Sequence, residues 1–293
     1  IRECAVATAR AGDVLPSHRQ RLGELAGRIS EPATLNQLLD VLEDTALKPP
    51  QQDLVTLMSQ LRPDALRALI ARLVKSRNPE LRALLESVVT RIASANTDEL
   101  MRLIGVEDES VSLEAMRRAG DIGSPAAVGP LAAVLDAPSD ASRGAAVAAL
   151  AQIGSPGAMQ ALEGALDDAD RDIRLAAVKA CAQRQHRGAL QRLEHAIRDR
   201  LLHDGSTAEK NAFFDAYATL GGEASVPLLE SILLPRGILA RKQDPATRAS
   251  AAMALGRLGT PRALDAVRTA AGDREIVVRS AAARALRGGG TPP

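Results

Sequence analysis

The stretch "IGSP" stands at Ile122–Pro125 and again at Ile153–Pro156, 31 residues later, and a variant, "LGTP", stands at Leu258–Pro261. The order of residue types spells a junction between helices. Gly123 supplies the left-handed backbone that closes a helix, a conformation that strains residues with a Cβ. The hydroxyl of Ser124 suits a helix N-cap, and Pro125 fits the first helical position, where a missing N–H costs nothing. Gly154-Ser155-Pro156 and Gly259-Thr260-Pro261 read the same way. A chain punctuated like this turns between antiparallel helices at a regular interval.

The flanks carry the same period. Apolar residues recur five, eight and twelve places after the glycine slot: Val128, Leu131, Leu135; Met159, Leu162, Leu166; Leu190, Leu193, Ile197; Val226, Leu229, Leu233; Leu264, Val267, Ala271. Spacings of three and four make one helical face. A second helix follows in each unit, opened by a basic residue in Ala-rich context: Arg143, Arg174, Lys210, Arg248 and Arg279. First helices are expected near Pro32, Pro63, Thr97, Pro125, Pro156, Arg187, Glu223 and Pro261. Second helices are expected near Gln51, Pro79, Ser110, Ala141, Asp172, Ala208, Ala246 and Ile276. Two helices per roughly 31 residues predict an all-α fold, a right-handed α-solenoid of about eight helix pairs. Residues 1–29 read as N-terminal capping helices, 30–109 as divergent repeats, 110–287 as regular repeats and 288–293 as a flexible tail.

The pattern "RxxAAxALxxIGSPxAxxxLxxALxD" resembles HEAT repeats of the short bacterial type, similar to the phycobilin-lyase HEAT-like group. The resemblance implies that second helices line a concave surface. It also implies a structural ladder in which the recurrent Arg pairs with an Asp of the preceding loop, as Asp168 with Arg174 and Asp273 with Arg279. The phycobilin-lyase likeness leaves bilin-lyase chemistry as an alternative, but three aromatics, Phe213, Phe214 and Tyr217, are a poor lining for a tetrapyrrole.

Composition narrows the classes. Lys and Arg number 37 against 36 Asp and Glu, a net charge of +1, which points to neither nucleic acid nor membrane. The charge is uneven: residues 96–170 carry −9 and residues 171–293 carry +8. A weak nucleic-acid backbone binder is the other alternative, with little aromatic capacity for stacking bases. Cys4 and Cys181 form no CxxC pattern, so a reduced, cytoplasmic protein is expected. No apolar run approaches membrane-span length. The four His, at 18, 186, 195 and 203, form no metal-ligand spacing, and no GxSxG or phosphate-binding loop occurs. No catalytic residue, metal or cofactor is assigned.

The expectation is a non-catalytic scaffold for protein–protein interaction. Five places after the basic residue, the second helices present Lys179, Asp215, Met253 and Arg284; nine places after, Gln152, Gln183 and Arg257. Their types vary where the buried positions stay Ala-rich. Two intra-repeat loops are longer than the rest, Arg198–Lys210 and Leu234–Pro245. The second holds Arg236, Ile238, Arg241 and Lys242, and insertions in repeat proteins gather on one face. The basic C-terminal part suits a protein partner with an acidic surface, and the acidic middle leaves self-association open.

Overall fold

The computed structural model describes residues 24, 27–43, 51–198, 202, 205–235 and 243–288. Their regular structure is all helical, with no strand among the described residues. From Pro32 onward, sixteen α-helices among the described residues form eight pairs: α1 (Pro32–Glu43) with α2 (Gln51–Ser59), α3 (Leu66–Lys75) with α4 (Pro79–Ala95), α5 (Thr97–Arg102) with α6 (Glu109–Ile122), and α7 (Val128–Val134) with α8 (Asp140–Ile153). Then follow α9 (Pro156–Leu162) with α10 (Arg171–Gln183), α11 (Leu190–Arg198) with α12 (Thr207–Gly221), α13 (Val226–Leu233) with α14 (Pro245–Leu258), and α15 (Pro261–Ala270) with α16 (Ile276–Gly288). Two compact units, Ile1–Ile153 and Gly154–Pro293, divide the chain at the second "IGSP".

The punctuation works as its chemistry requires. Gly123, Gly154 and Gly259 adopt φ of 70°, 60° and 64°. Gln185 occupies the same slot in the next repeat and also takes a left-handed φ, 55°, so the turn imposes the conformation even on a side chain that resists it. Ser155 and Thr260 accept from the N–H groups of Ala158 and Ala263. Ser124 differs from expectation and makes no side-chain cap. There the helix opens with a 3-10 turn, Pro125–Ala127, and the Ser124 carbonyl accepts from the Ala127 N–H. Three other first helices also open through a 3-10 turn, at Pro63, Arg187 and Gly222.

The core is aliphatic. Leu131, Leu162, Leu193, Leu229 and Val267 are fully buried, facing Ala-rich second helices. Small residues let second helices approach closely. A Cβ on Gly256 of α14 would lie 2.5 Å from the Ala285 Cβ of α16. Phe213 and Phe214 are fully buried, and the Tyr217 hydroxyl donates to Glu194 at 3.2 Å, so the aromatic cluster is core. Helix α16 runs through Gly288, and the rest of the expected tail, residues 289–293, lies outside the described residues.

Candidate functional site

The recurrent cations build the scaffold, but with other partners than expected. Arg174 does not take the Asp168 carboxylate. It donates to the carbonyls of Asp168 (2.7 Å) and Ala169 (2.9 Å), and its Nε reaches Glu209, one repeat later, at 2.7 Å. Lys210 donates to Asp244 at 3.2 Å, and Arg248 pairs with Asp273. Arg279 donates to the carbonyls of Asp273 (2.7 Å) and Arg274 (2.9 Å) rather than to the Asp273 carboxylate. Each cation thus closes its own loop through carbonyls or reaches the acid of the following repeat. Arg174, Glu209, Lys210 and Arg248 are buried, where charges persist only when paired. Burial alone would raise the Asp244 carboxyl, but hydrogen bonds from Thr247 and Lys210 outweigh it and hold the group below its usual range.

The second helices of the unit Gly154–Pro293 carry the candidate face. Lys179 on α10, Gln183 on α10, Arg257 on α14 and Arg284 on α16 are exposed. Asp215 on α12 and Met253 on α14 are partly covered. The structure brings Arg257 and Asp215 together, Nη2 to Oδ2 at 2.8 Å, joining adjacent helices. Burial holds the Asp215 carboxyl above its usual range, and Arg257 offsets only part of this. Its Oδ1 is buried and accepts no hydrogen bond among the described residues. Lys179 and Arg284 form no ion pair among the described residues, so two of the three cations in this row have solvated charges.

Gln152 lies in the unit Ile1–Ile153. It is exposed and donates to Asp121 at 2.8 Å. There it joins a network that sequence reasoning missed. Arg117 donates to Glu114 (2.7 Å) and Asp121 (2.7 Å); Arg118 donates to Glu86 (2.7 Å), Thr90 (2.8 Å) and Glu114 (2.8 Å). The available signal was the period: Glu86 precedes Arg117 by 31 residues, and Asp121 precedes Gln152 by 31.

Arg236, Ile238, Arg241 and Lys242 lie outside the described residues. The residues flanking their loop line an open hollow of about 550 Å³ beside α13. Its floor includes Ile197, Leu228 and Ile232, and Arg198 and Arg262 stand among its polar lining residues. Arg262 also donates to Glu230 at 3.1 Å.

Chemistry is sparse. No group of three or more His, Cys, Asp or Glu is placed to hold a metal among the described residues. His186 meets Glu163 at 2.8 Å, and His195 is exposed on α11. Burial, helped by Glu163, raises the Cys181 thiol to about 11, which keeps it from acting as a thiolate at neutral pH. No helix among the described residues is long and apolar enough to cross a membrane.

The family model for HEAT repeats matches residues 128–201 and 233–292. No curated protein matches the sequence significantly. Among solved structures, a chain in the structure of Kap95p with RanGDP aligns over 97% of this chain and 44% of its own length, with 14% identity and a TM-score of 0.53, a likeness of fold. Human deoxyhypusine hydroxylase aligns over 90% of this chain and 98% of its own, with 22% identity and a TM-score of 0.34. The CpcE–CpcF phycocyanin lyase complex from Nostoc sp. PCC7120 aligns over 82% and 89%, with 21% identity and a TM-score of 0.39.

Proposed function

Because the chain carries HEAT repeats across residues 128–201 and 233–292, we propose that it is a non-catalytic scaffold that binds another protein through the second-helix face of its regular repeats. That face belongs to the repeats of 141–287, together with the two longer loops, and its cytoplasmic partner presents an acidic surface. The observation that carries this reading is the row Lys179, Arg257 and Arg284 on successive parts of one helix layer. Only Arg257 has its charge met within the row, by Asp215. Preformed helices present such a row with little ordering cost, so modest contacts yield useful affinity. Met253 supplies an apolar contact beside the cations and Gln183 a hydrogen-bonding edge; Gln152, on the other unit, is a candidate contact by itself. Arg236, Ile238, Arg241 and Lys242 add a second contact region.

The test is an affinity capture from the source cell's lysate with two baits, the natural chain and Lys179→Glu/Arg257→Glu/Arg284→Glu. The bound protein is then purified and titrated against each bait. One protein retained by the first and weakened at least tenfold by the second is expected. Capture of nucleic acid or a coloured small molecule in place of protein, or equal affinity for both baits, defeats the proposal.

A further inference from the structure

Five places after the recurrent cation, the second helices of the unit Gly154–Pro293 carry Lys179, Asp215, Met253 and Arg284. Asp215 is the lone acid of that row. Its side chain is 22% exposed, and it stands in α12 between Phe214 and Ala216, both buried. Its two oxygens differ in what they meet. Oδ2 pairs with Arg257 Nη2 of α14 at 2.8 Å, whereas Oδ1 is buried and accepts no hydrogen bond among the described residues. Arg257 keeps 57% of its side chain exposed, so its guanidinium stays within reach of a partner.

On the elements packed against α12, the other charged groups are met elsewhere or face solvent. On α10, Arg174 is taken by Glu209, Arg171 pairs with Asp172, and Lys179 is exposed. On α11, Glu194 accepts from Tyr217 and Arg198, Arg192 pairs with Asp167, and His195 is exposed. On α14, Arg248 pairs with Asp273. Glu223, in the 3-10 turn after α12, is exposed, and Lys210 of α12 itself pairs with Asp244. Arg257 is thus the cation that keeps Asp215 ionised. Burial pushes the carboxyl up, and Arg257 pulls it part of the way back. Without Arg257, a partly buried carboxylate would be left with no donor, and a proton relieves such a charge most cheaply.

We propose that Asp215 is a built-in competitor of the acidic partner: a carboxylate of the partner takes Arg257 only as Asp215 gives it up and accepts a proton from solvent. This rests on the reading of the second-helix face as the partner's site, and it adds the condition under which Arg257 joins that site. Charge balances in the exchange. Arg257 and the incoming carboxylate stay ionised, one ion pair replaces another, and one proton passes from water to Asp215. While Asp215 is ionised, a partner meets Lys179 and Arg284 as bare cations and Arg257 as half of a neutral pair. Once Asp215 is neutral, all three cations are available. Binding therefore takes up a proton. Affinity rises as pH falls toward the Asp215 midpoint and levels off below it, where Asp215 is already neutral before the partner arrives. Asp215 also sets specificity, because a neutral hydrogen-bonding group lacks the charge to displace it and a carboxylate matches it.

The test uses the natural chain, Asp215→Asn, Arg257→Gln and Lys179→Glu/Arg257→Glu/Arg284→Glu. The probe is a short capped peptide of cysteic acid, whose sulfonates stand in for the partner's carboxylates and stay charged at every pH used. Binding is titrated from pH 8 to pH 4. At pH 8, Asp215→Asn is expected to bind the probe about fivefold more tightly than the natural chain, and the gap should close as the pH falls. The other acids and the exposed His195 titrate in both chains, so the difference between them belongs to Asp215. In parallel, the Asp215 carboxyl is titrated by NMR in the natural chain, which keeps the test open should Asp215→Asn fold poorly. Its midpoint should move up on adding the probe, and again in Arg257→Gln. Equal affinity of the natural chain and Asp215→Asn at pH 8 overturns the proposal, as does a midpoint that either the probe or Arg257→Gln leaves in place. If such a result comes while the triple charge reversal still weakens probe binding, the second-helix face stands and only the competition fails. If the triple variant binds the probe as tightly as the natural chain, the face itself fails and the competition falls with it.

Discussion

The buried cations show how single residues decide the stability of this scaffold. Glu209 is 1% exposed and faces Arg174, itself 8% exposed. The pair does not owe its place to net Coulomb gain, because desolvating both charges costs about as much as their attraction returns. What matters is the asymmetry. Glu209→Ala leaves the Arg174 Nε without its acceptor inside the protein, and the cost is that of a stranded charge, about 3 kcal/mol. Glu223→Ala, on an exposed side chain, should stay within about 0.5 kcal/mol. Urea titration of both variants checks the difference, and similar midpoints would show that Arg174 is satisfied by its two loop carbonyls alone. The identity of Glu209 as the partner was not legible in the sequence. The resemblance pointed to the local Asp168, whereas the guanidinium, lying along the stacking direction, reaches the acid one repeat on.

At the scale of the helix, the punctuation was almost wholly legible. Pro32, Thr97, Pro156 and Pro261 begin first helices as expected, and every second helix begins within a residue of its expected start. The reason is that start and stop signals are local: glycine and proline act through their own φ, and a cap side chain reaches only two or three residues. Less legible was how closely the elements approach. Gly256 and Gln185 make that distinction measurable, because each sets a local preference against its surroundings. Alanine favours a helix interior over glycine by about 1 kcal/mol, yet Gly256→Ala should lower stability by about 1–2 kcal/mol. Its Cβ meets the Ala285 backbone at 3.0 Å, and two helices must part. Gln185→Gly should instead raise stability by about 0.5–1 kcal/mol by relieving the left-handed turn, in a slot where Gly123, Gly154 and Gly259 already stand. Denaturant midpoints of the two variants should move in opposite directions. A rise for Gly256→Ala would mean that propensity, rather than interhelical spacing, governs the second-helix layer.

For the molecule as a whole, the charge pattern bears on recognition more than the fold does. The net charge of +1 conceals −9 over residues 96–170 and +8 over residues 171–293. Long-range steering therefore depends on which segment a partner approaches, and the sign of the partner's surface decides it. Inside the scaffold, many opposite charges are consumed by pairs one period apart, such as Arg117 with Glu86, Arg72 with Asp40 and Arg262 with Glu230. Lys179 and Arg284 stand outside that pairing on the candidate face. An acidic protein that docks there is drawn by exposed charge, and exposed charge is screened over about 8 Å at physiological salt. Its association rate should fall about tenfold between 0.05 and 0.5 M NaCl, with the dissociation rate changing much less. Salt dependence alone would not distinguish this from a basic partner attracted to residues 96–170. The charge-reversed variant Lys179→Glu/Arg257→Glu/Arg284→Glu supplies the missing sign. With an acidic partner on the second-helix face, the variant associates slowly at low salt and speeds up as salt rises. With a partner on the acidic segment, it keeps the natural chain's downward slope. Stopped-flow association of the natural chain and the variant across that salt range therefore reads both the place and the polarity of the interface, and a slope that stays downward in the variant removes the second-helix face as the site.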